Sequence, residues 1–309
     1  MRDSTASITS SILEYRNIND RLFQQSNTTE YWSVYYILNQ QYSNYTIRHH
    51  VTLLLLGNRL HMSPIGEKPQ KILDIGTGTG IWVIISDMAD ECSSAEVIGI
   101  DISAVQPTFV PPNCIFQIDD AQLDWTFEPN TFDFIHLRYI YGAIDDWRKL
   151  FRQAYTHVRP GGWVESLDID IETRSENPKV QNDPNHIFYK WYQLFFECGR
   201  KTGRTFEIAR DGHQEEYMRE AGFTDMVSRS WKVPVGGWPQ DEKLKQIGLY
   251  NGAFIDQSLD GFAIFPVGEI LGWSVDEVTA LVAQMRKALR EPRAMPYFIV
   301  HMVYGRKPL

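Results

Sequence analysis

The chain has 309 residues, which allows one elaborated domain or two ordinary ones. Hydrophobic residues make up 43% and charged residues 22%, ordinary globular chemistry that excludes a wholly disordered chain. The net charge of −9 argues against a grip on bulk nucleic acid, whose affinity comes from Lys and Arg on phosphates. Three scattered cysteines, Cys92, Cys114 and Cys198, argue against a disulfide framework and for a reducing compartment. No pair has CxxC spacing, so no metal site is expected. The longest N-terminal apolar run, Leu53–Leu56, falls far short of the ~20 residues that span a bilayer. No secretory signal is visible, and the expected location is cytoplasmic, with the nucleus open to it.

Along the chain, the first ~25 residues are rich in Ser, Thr and Asn and are expected to be frayed or lightly packed. Residues 30–62 have helical spacing and many aromatics, until Ser63-Pro64-Ile65-Gly66 breaks the pattern. Residues 71–75 read as a buried strand ending in a glycine-rich turn, followed by an apolar helix over 80–90. Strands follow at 96–101, 115–118 and 132–137. A helix over 145–158 closes on Arg159-Pro160-Gly161-Gly162 and feeds a strand at 163–168. A polar stretch, 172–184, precedes a strongly aromatic helix at 185–202. Then come a helix at 213–221, a strand at 224–233, helices at 239–258 and 274–290, and a strand at 297–304. Strands alternating with helices imply right-handed crossovers and a parallel sheet.

The sharpest motif is Asp74-Ile-Gly76-Thr77-Gly78-Thr-Gly80, after a strand and before a helix. Its glycines let the backbone turn tightly and approach a ligand, and the helix start offers free N–H groups. The GxGxG spacing is neither a full dinucleotide fingerprint nor a P-loop. Asp101 ends the next strand, where an acid can accept both hydroxyls of a ribose. Asp120-Ala121, at the end of the third strand, offers a carboxylate for an adenine amino group. Asp119 competes for that role, and an Asx-turn would explain either acid. All three features fall at carboxyl ends of strands, where open α/β sheets bind ligands.

In this order and spacing, DIGTGTGIW, VIGID, DDA, FDFIHLR and RPGGWVE resemble a class I S-adenosylmethionine-dependent methyltransferase. More narrowly, they are similar to the LaeA-like fungal methyltransferases of secondary metabolism. That subfamily also carries a segment like His49-His50-Val-Thr-Leu53 to Arg59-Leu60-His61-Met-Ser-Pro64-Ile65 before the first strand. The resemblance covers about residues 30–205 and fades over 239–290. It implies an α/β, Rossmann-like sheet of seven strands, the last antiparallel, with an N-terminal helical extension and a helical insertion before the last strand. The implied division is an extension or lid over 1–65 and a methyltransferase domain over 66–309, with cap insertions at about 170–210 and 239–290. It also implies S-adenosylmethionine as cofactor. Asp74, Gly76, Thr77, Gly78 and Gly80 would form its methionine-side loop. Asp101 would hold the ribose, and Ile102 would pack on the adenine. Asp120 and Ala121 would border the adenine edge, with His136, Leu137 and Arg138 beside the sulfonium. The subfamily's charged stretch before the two histidines is replaced here by Gln41-Tyr42-Ser43-Asn44-Tyr45. If that stretch holds the cofactor carboxylate in the subfamily, this chain must use another group, for which Arg48 is a candidate.

Methyl transfer from a sulfonium needs positioning and shielding above all, and a base only for acceptors that hold their proton. His136 is the first candidate for a catalytic base, against the equal claim of a satisfied core histidine. Tyr139, Tyr141, Asp168, His186, Tyr189 and Tyr192 are candidates for an acceptor pocket, each weighed against packing or a solvated strand end. Glu165 reads as structural or cofactor-supporting, and Trp82 as packing. The expected partner is a hydrophobic small-molecule acceptor, methylated on a hydroxyl, nitrogen or sulfur, with no nucleic acid and no membrane. A homodimer is compatible with the N-terminal aromatics. Two other functions stay open: a regulator acting through protein partners, and a cofactor-binding cyclase or pericyclase that transfers no methyl group.

Overall fold

The computed structural model describes residues 15–18, 21–24, 32, 38–85 and 88–309. It contains β1 (Tyr15–Ile18), β2 (Arg21–Gln24), α1 (Leu38–Leu55), β3 (Lys71–Ile75), β4 (Glu96–Asp101), β5 (Cys114–Ile118) and β6 (Phe132–Arg138). These are followed by α2 (Trp147–His157), β7 (Val158–Ser175), α3 (Ile187–Thr202), α4 (His213–Ala221), β8 (Thr224–Pro234), α5 (Glu242–Ala263), α6 (Val275–Arg290) and β9 (Pro296–Arg306). A seven-stranded sheet runs in the order β5-β4-β3-β6-β7-β9-β8. The β3–β7 pairings are parallel, and β9 is antiparallel to both neighbours.

Burial follows from position in the sheet. β3 and β6 lie centrally and read as apolar runs buried almost throughout, as parallel strands covered on both faces must be. β5 is an edge and alternates, with Cys114 inward and Ile115 exposed. One large core gathers Leu73, Ile75, Leu137 and Phe151 with α3 and α6. A second, around Ile72, Trp82, Val97 and Phe134, fills the other face. A third joins α1 to β7, β8 and β9 through Val51, Leu55, Leu167, Val233 and Val300.

Side-chain caps set the helix starts. Asp146 accepts the Lys149 N–H at 2.7 Å, and Asp241 accepts that of Leu244 at 2.8 Å. Ser274 and Glu277 form the reciprocal capping box expected at that start.

Several boundaries differ from the sequence-based expectation. Of the first 25 residues those described form β1 and β2, an antiparallel pair in which Phe23 is fully buried; the rest of the segment expected to be frayed lies outside the described residues. The expected helix over 30–62 is realised as α1 over 38–55, with Trp32 outside it. Instead of a regular helix over 80–90, a π-type turn spans Ile81–Ile85 and a short helix spans Met88–Glu91. The fifth strand is far longer than 163–168. The Pro160-Gly161-Gly162 breaker is absorbed by a register shift between Phe132 and Phe134. A Cβ on Gly162 would lie 2.7 Å from Val158 Cγ2, so the strand closes there only around a bare glycine. At its far end Asp170, Arg174 and Glu172 pair with one another, which keeps a polar stretch in the sheet.

Candidate functional site

The turn after β3 carries Gly76, Gly78 and Gly80 at φ values of 68°, 56° and 75°. That left-handed backbone favours glycine. A Cβ on Gly76 would lie 2.6 Å from Ile140, and one on Gly80 would lie 2.3 Å from Phe116. The turn is pinned from β4. Thr77 N–H donates to Ile100 O, and Gly78 N–H donates to Asp101 Oδ2 at 2.8 Å. Ser103 N–H donates to Asp101 Oδ1 at 2.9 Å. Gln106, which the sequence did not single out, donates to Gly78 O at 2.6 Å and Ser103 O at 2.9 Å. Burial pushes the Asp101 carboxyl up to about 6, against the pull of the Gly78 and Ser103 N–H groups. Asp120 is buried at the end of β5, and its Oδ1 accepts the Gln122 N–H. Ile102 is half-buried and Ala121 packs at the margin of the large core.

Beneath this turn, the sheet register sets Asp74, His136 and Glu165 side by side on one face. His136 Nδ1–H donates to Asp74 Oδ1 at 2.7 Å, and its ring stacks on Trp82 at 3.9 Å and 8°. Glu165 is fully buried, and its Oε2 accepts from Met62 N, Ser63 N and Ser63 Oγ. So the Ser63-Pro64 break is anchored by a strand carboxylate. Arg138 can only donate, so the 3.1 Å contact makes His49 Nδ1 the acceptor and leaves the proton on Nε2. Burial, with Arg138 next, pushes His49 down to about 3, so it is neutral. His49 Nε2 and Glu165 Oε1 are buried polar atoms with no hydrogen-bond partner among the described residues, as are the Thr77 and Thr79 hydroxyls. Buried polar atoms of this kind, the two threonine hydroxyls belonging to the glycine turn itself, suit a polar ligand, and S-adenosylmethionine fits this donor and acceptor set.

Beyond the end of β6 lies a cavity walled by aromatics. Trp32, Tyr141, Trp191, Phe195, Phe254 and Phe262 supply the rings. Ile169, Ile171, Val233 and Val300 supply the sheet floor, and Arg48, Tyr139 and Asn251 supply most of its polarity. The cavity holds about 60 Å³, measured to the centres of water-sized spheres. Trp32 closes one side, donating its indole N–H to Tyr141 O at 2.9 Å. The Arg48 guanidinium lies 3.6 Å from the centre of the Tyr139 ring. Tyr139 takes a left-handed φ of 59° to turn into this wall, and its hydroxyl meets Thr52 Oγ1 at 2.9 Å.

The structure brings Asp74 to His136, the glycine turn to Asp101, and Tyr139 and Tyr141 to the cavity. Leu137 is core. Asp168 is buried behind the wall, accepting Tyr141 N–H at 3.3 Å and Gln214 Nε2 at 3.4 Å. Burial pushes its carboxyl up to about 7 against the Tyr141 N–H and the Arg48 charge. His136 is buried in the polar row and does not line the cavity. His186, Tyr189 and Tyr192 are not in its wall either. His186 caps α3 by accepting Phe188 N–H, Tyr189 faces solvent, and Tyr192 packs on Phe196. Arg48, Asn251 and Phe298 were missed as wall residues, for they share no local pattern with the motifs. Among the described residues no His/Cys/Asp/Glu cluster could hold a metal.

Residues 47–228 match the family described as a methyltransferase domain. Over 261 residues the chain is 35% identical to the methyltransferase pytC of Aspergillus terreus, covering 84% of this chain and 78% of that one. It is 32% identical to the secondary metabolism regulator LAE1 of Cochliobolus heterostrophus, covering 81% of each. It is 28% identical to the probable methyltransferase tdiE of Emericella nidulans, over 100% of this chain and 94% of that one. The fold is similar to that of Haemonchus contortus phosphoethanolamine N-methyltransferase 2 in complex with S-adenosyl-L-methionine, with a TM-score of 0.51 and 19% identity. That match covers 88% of this chain but 59% of the other. The sheet order, the glycine turn, the strand-end acid and these similarities converge: the chain belongs to the class I S-adenosylmethionine-dependent methyltransferases, in the LaeA-like fungal subfamily.

Proposed function

We propose that the protein methylates a hydroxyl, nitrogen or sulfur of a hydrophobic small molecule in fungal secondary metabolism. The observation that carries this reading is the aromatic cavity next to the end of β6, a strand that pairs in parallel with β3 and so ends beside the glycine turn. Asp101 would hold the ribose hydroxyls, Ile102, Asp120 and Ala121 the adenine, and the turn from Asp74 to Gly80 the methionine side. Arg138 and the partnerless atoms of His49 and Glu165 lie below that side. Bound there, S-adenosylmethionine supplies a methyl group already activated on a sulfonium; the acceptor gains it, a thioether remains, and any acceptor proton goes to solvent. The protein's own share is to orient the acceptor and exclude water, which the ring-lined wall suits. His136, held by Asp74 and Trp82, acts in this reading as a positioning residue under the turn. Residues 1–65 serve as an extension whose Trp32 and α1 cover the cavity. The domain is 66–309, with caps at about 170–210 and 239–290.

Calorimetric titration with S-adenosylhomocysteine tests the reading: one site per chain is expected, and no heat at millimolar ligand removes it. A second reading, action through protein partners, is favoured by relatives named regulators, LAE1 and the Monascus pilosus laeA at 31% identity. Product release with a small hydrophobic acceptor favours the first; stable co-elution with a partner and no turnover favours the second.

A further inference from the structure

We propose that the acceptor presents an anionic oxygen, a carboxylate or an enolate, to Arg48, and that this cation makes the protein specific for acceptors more acidic than a phenol. This rests on the methyl-transfer reading above. Among the described residues the cavity wall contains no Asp, Glu, His or Lys; its described titratable members are Arg48, Tyr139 and Tyr141. No wall residue can therefore serve as an ordinary base, and an oxygen acceptor must arrive ionised or lose its proton to water on entry.

Tyr141 acts as an internal reference phenol. Burial raises its hydroxyl above the usual range, although Arg48 both attracts its anion and hydrogen-bonds to it. A phenol in this cavity stays protonated even beside the guanidinium. An oxygen that ionises several units lower, as a carboxylic acid or a strongly acidic cyclic 1,3-dione does, is still largely anionic there at pH 7.5, as the buried Asp168 carboxyl at about 7 is. Arg48 is placed for it. Its guanidinium carbon sits over the Tyr139 ring, 3.6 Å from the centroid, a cation–π contact that holds the charge at the cavity wall. Its field also reaches Asp168, whose carboxyl it pulls down. A cationic amine would meet this charge as a repulsion, although the surrounding ring faces would by themselves attract it.

Three isosteres separate these tendencies: phenylacetate, 2-phenylethanol and phenethylamine. Each is titrated at pH 7.5 into protein saturated with S-adenosylhomocysteine, with tryptophan fluorescence and calorimetry as readouts. The expected order is phenylacetate tighter than 2-phenylethanol and phenethylamine weakest. Arg48→Gln should weaken phenylacetate roughly tenfold, the scale of one charge-assisted hydrogen bond, and leave 2-phenylethanol within twofold. Arg48→Lys should keep most of the preference, and it carries the test should Arg48→Gln fail to fold. Phenethylamine or 2-phenylethanol binding as tightly as phenylacetate, or no binding of any of the three at millimolar concentration, overturns the proposal. So does an Arg48→Gln variant that loses S-adenosylhomocysteine affinity instead, which would place Arg48 on the cofactor carboxylate. Failure of the wild type to bind S-adenosylhomocysteine would remove the parent reading, and is distinct from each of these.

Discussion

Asp101 should make cofactor affinity depend on pH in a window where few other groups titrate. Its carboxyl stands at about 6, raised by burial from 3.8. Only the ionised form accepts on all its lone pairs, which it needs because Gly78 and Ser103 N–H groups already use one on each oxygen. With a value of 6, about 9% of the group is ionised at pH 5 and about 97% at pH 7.5, so the dissociation constant of S-adenosylhomocysteine should rise about elevenfold across that range. Folding stability runs the other way. The folded state holds the proton more tightly than the unfolded chain. The group's contribution is therefore full below about 3.8 and is lost as pH rises through about 6. Removing the carboxylate altogether deletes two hydrogen bonds to a charged acceptor, about 3 kcal/mol or more, so Asp101→Ala should weaken binding over a hundredfold. Asp101→Asn should bind weakly and without the pH slope. Titrations at pH 5, 6 and 7.5 on wild type and Asp101→Asn decide it. A wild-type constant flat to within twofold, or an Asn variant that keeps the slope, would refute the reasoning.

Other substitutions probe the frame around the site. His136→Phe strips the buried Asp74 of its partner while keeping a ring beside Trp82 and should destabilise by about 3–5 kcal/mol in a chemical melt, with less than additive loss in the Asp74→Asn, His136→Phe double variant. If His136 were instead a base at the acceptor, turnover measured well below the new Tm would fall by far more than cofactor affinity. Glu165→Ala leaves three donors of Met62 and Ser63 without their shared acceptor and should cost about 3 kcal/mol, seen as a lowered denaturant midpoint. Ser274→Ala removes one half of a capping box and should cost about 1 kcal/mol, with S-adenosylhomocysteine affinity unchanged.

The cofactor half of the site was legible because its chemistry is local. A strand, a glycine turn and a strand-end acid lie within the 31 residues from Lys71 to Asp101, and parallel pairing brings them together by register alone. The acceptor half was not, because its wall is drawn from Trp32, α1, β7, α3, β8, α5, α6 and β9. Each contributes residues that locally look like ordinary core. Trp191 and Phe195 point into the cavity, whereas Tyr189 and Tyr192, on the same helix, do not. The aromatic spacing marked that face as packed but could not say what it packs around. Tyr31, Tyr35 and Tyr36 of the N-terminal aromatic cluster lie outside the described residues. The length of β7 was hidden for a different reason. Pro-Gly-Gly and a run of charges are honest loop signals. They are overridden here by a bulge that fits around Gly162 and by ion pairs that solvate the far end.

The place of β9 has a consequence for how the protein is made. This strand slots between β7 and β8, both of which leave the ribosome earlier. Until it arrives, β7 and β8 each present an open hydrogen-bonding edge, and the cavity lacks the wall supplied by Phe298 and Val300. The glycine turn and Asp101, some 200 residues upstream, can by then be assembled. A nascent chain would therefore become competent for the cofactor's adenosyl part before it can enclose an acceptor, and its unpaired edges would be the segments most in need of chaperones.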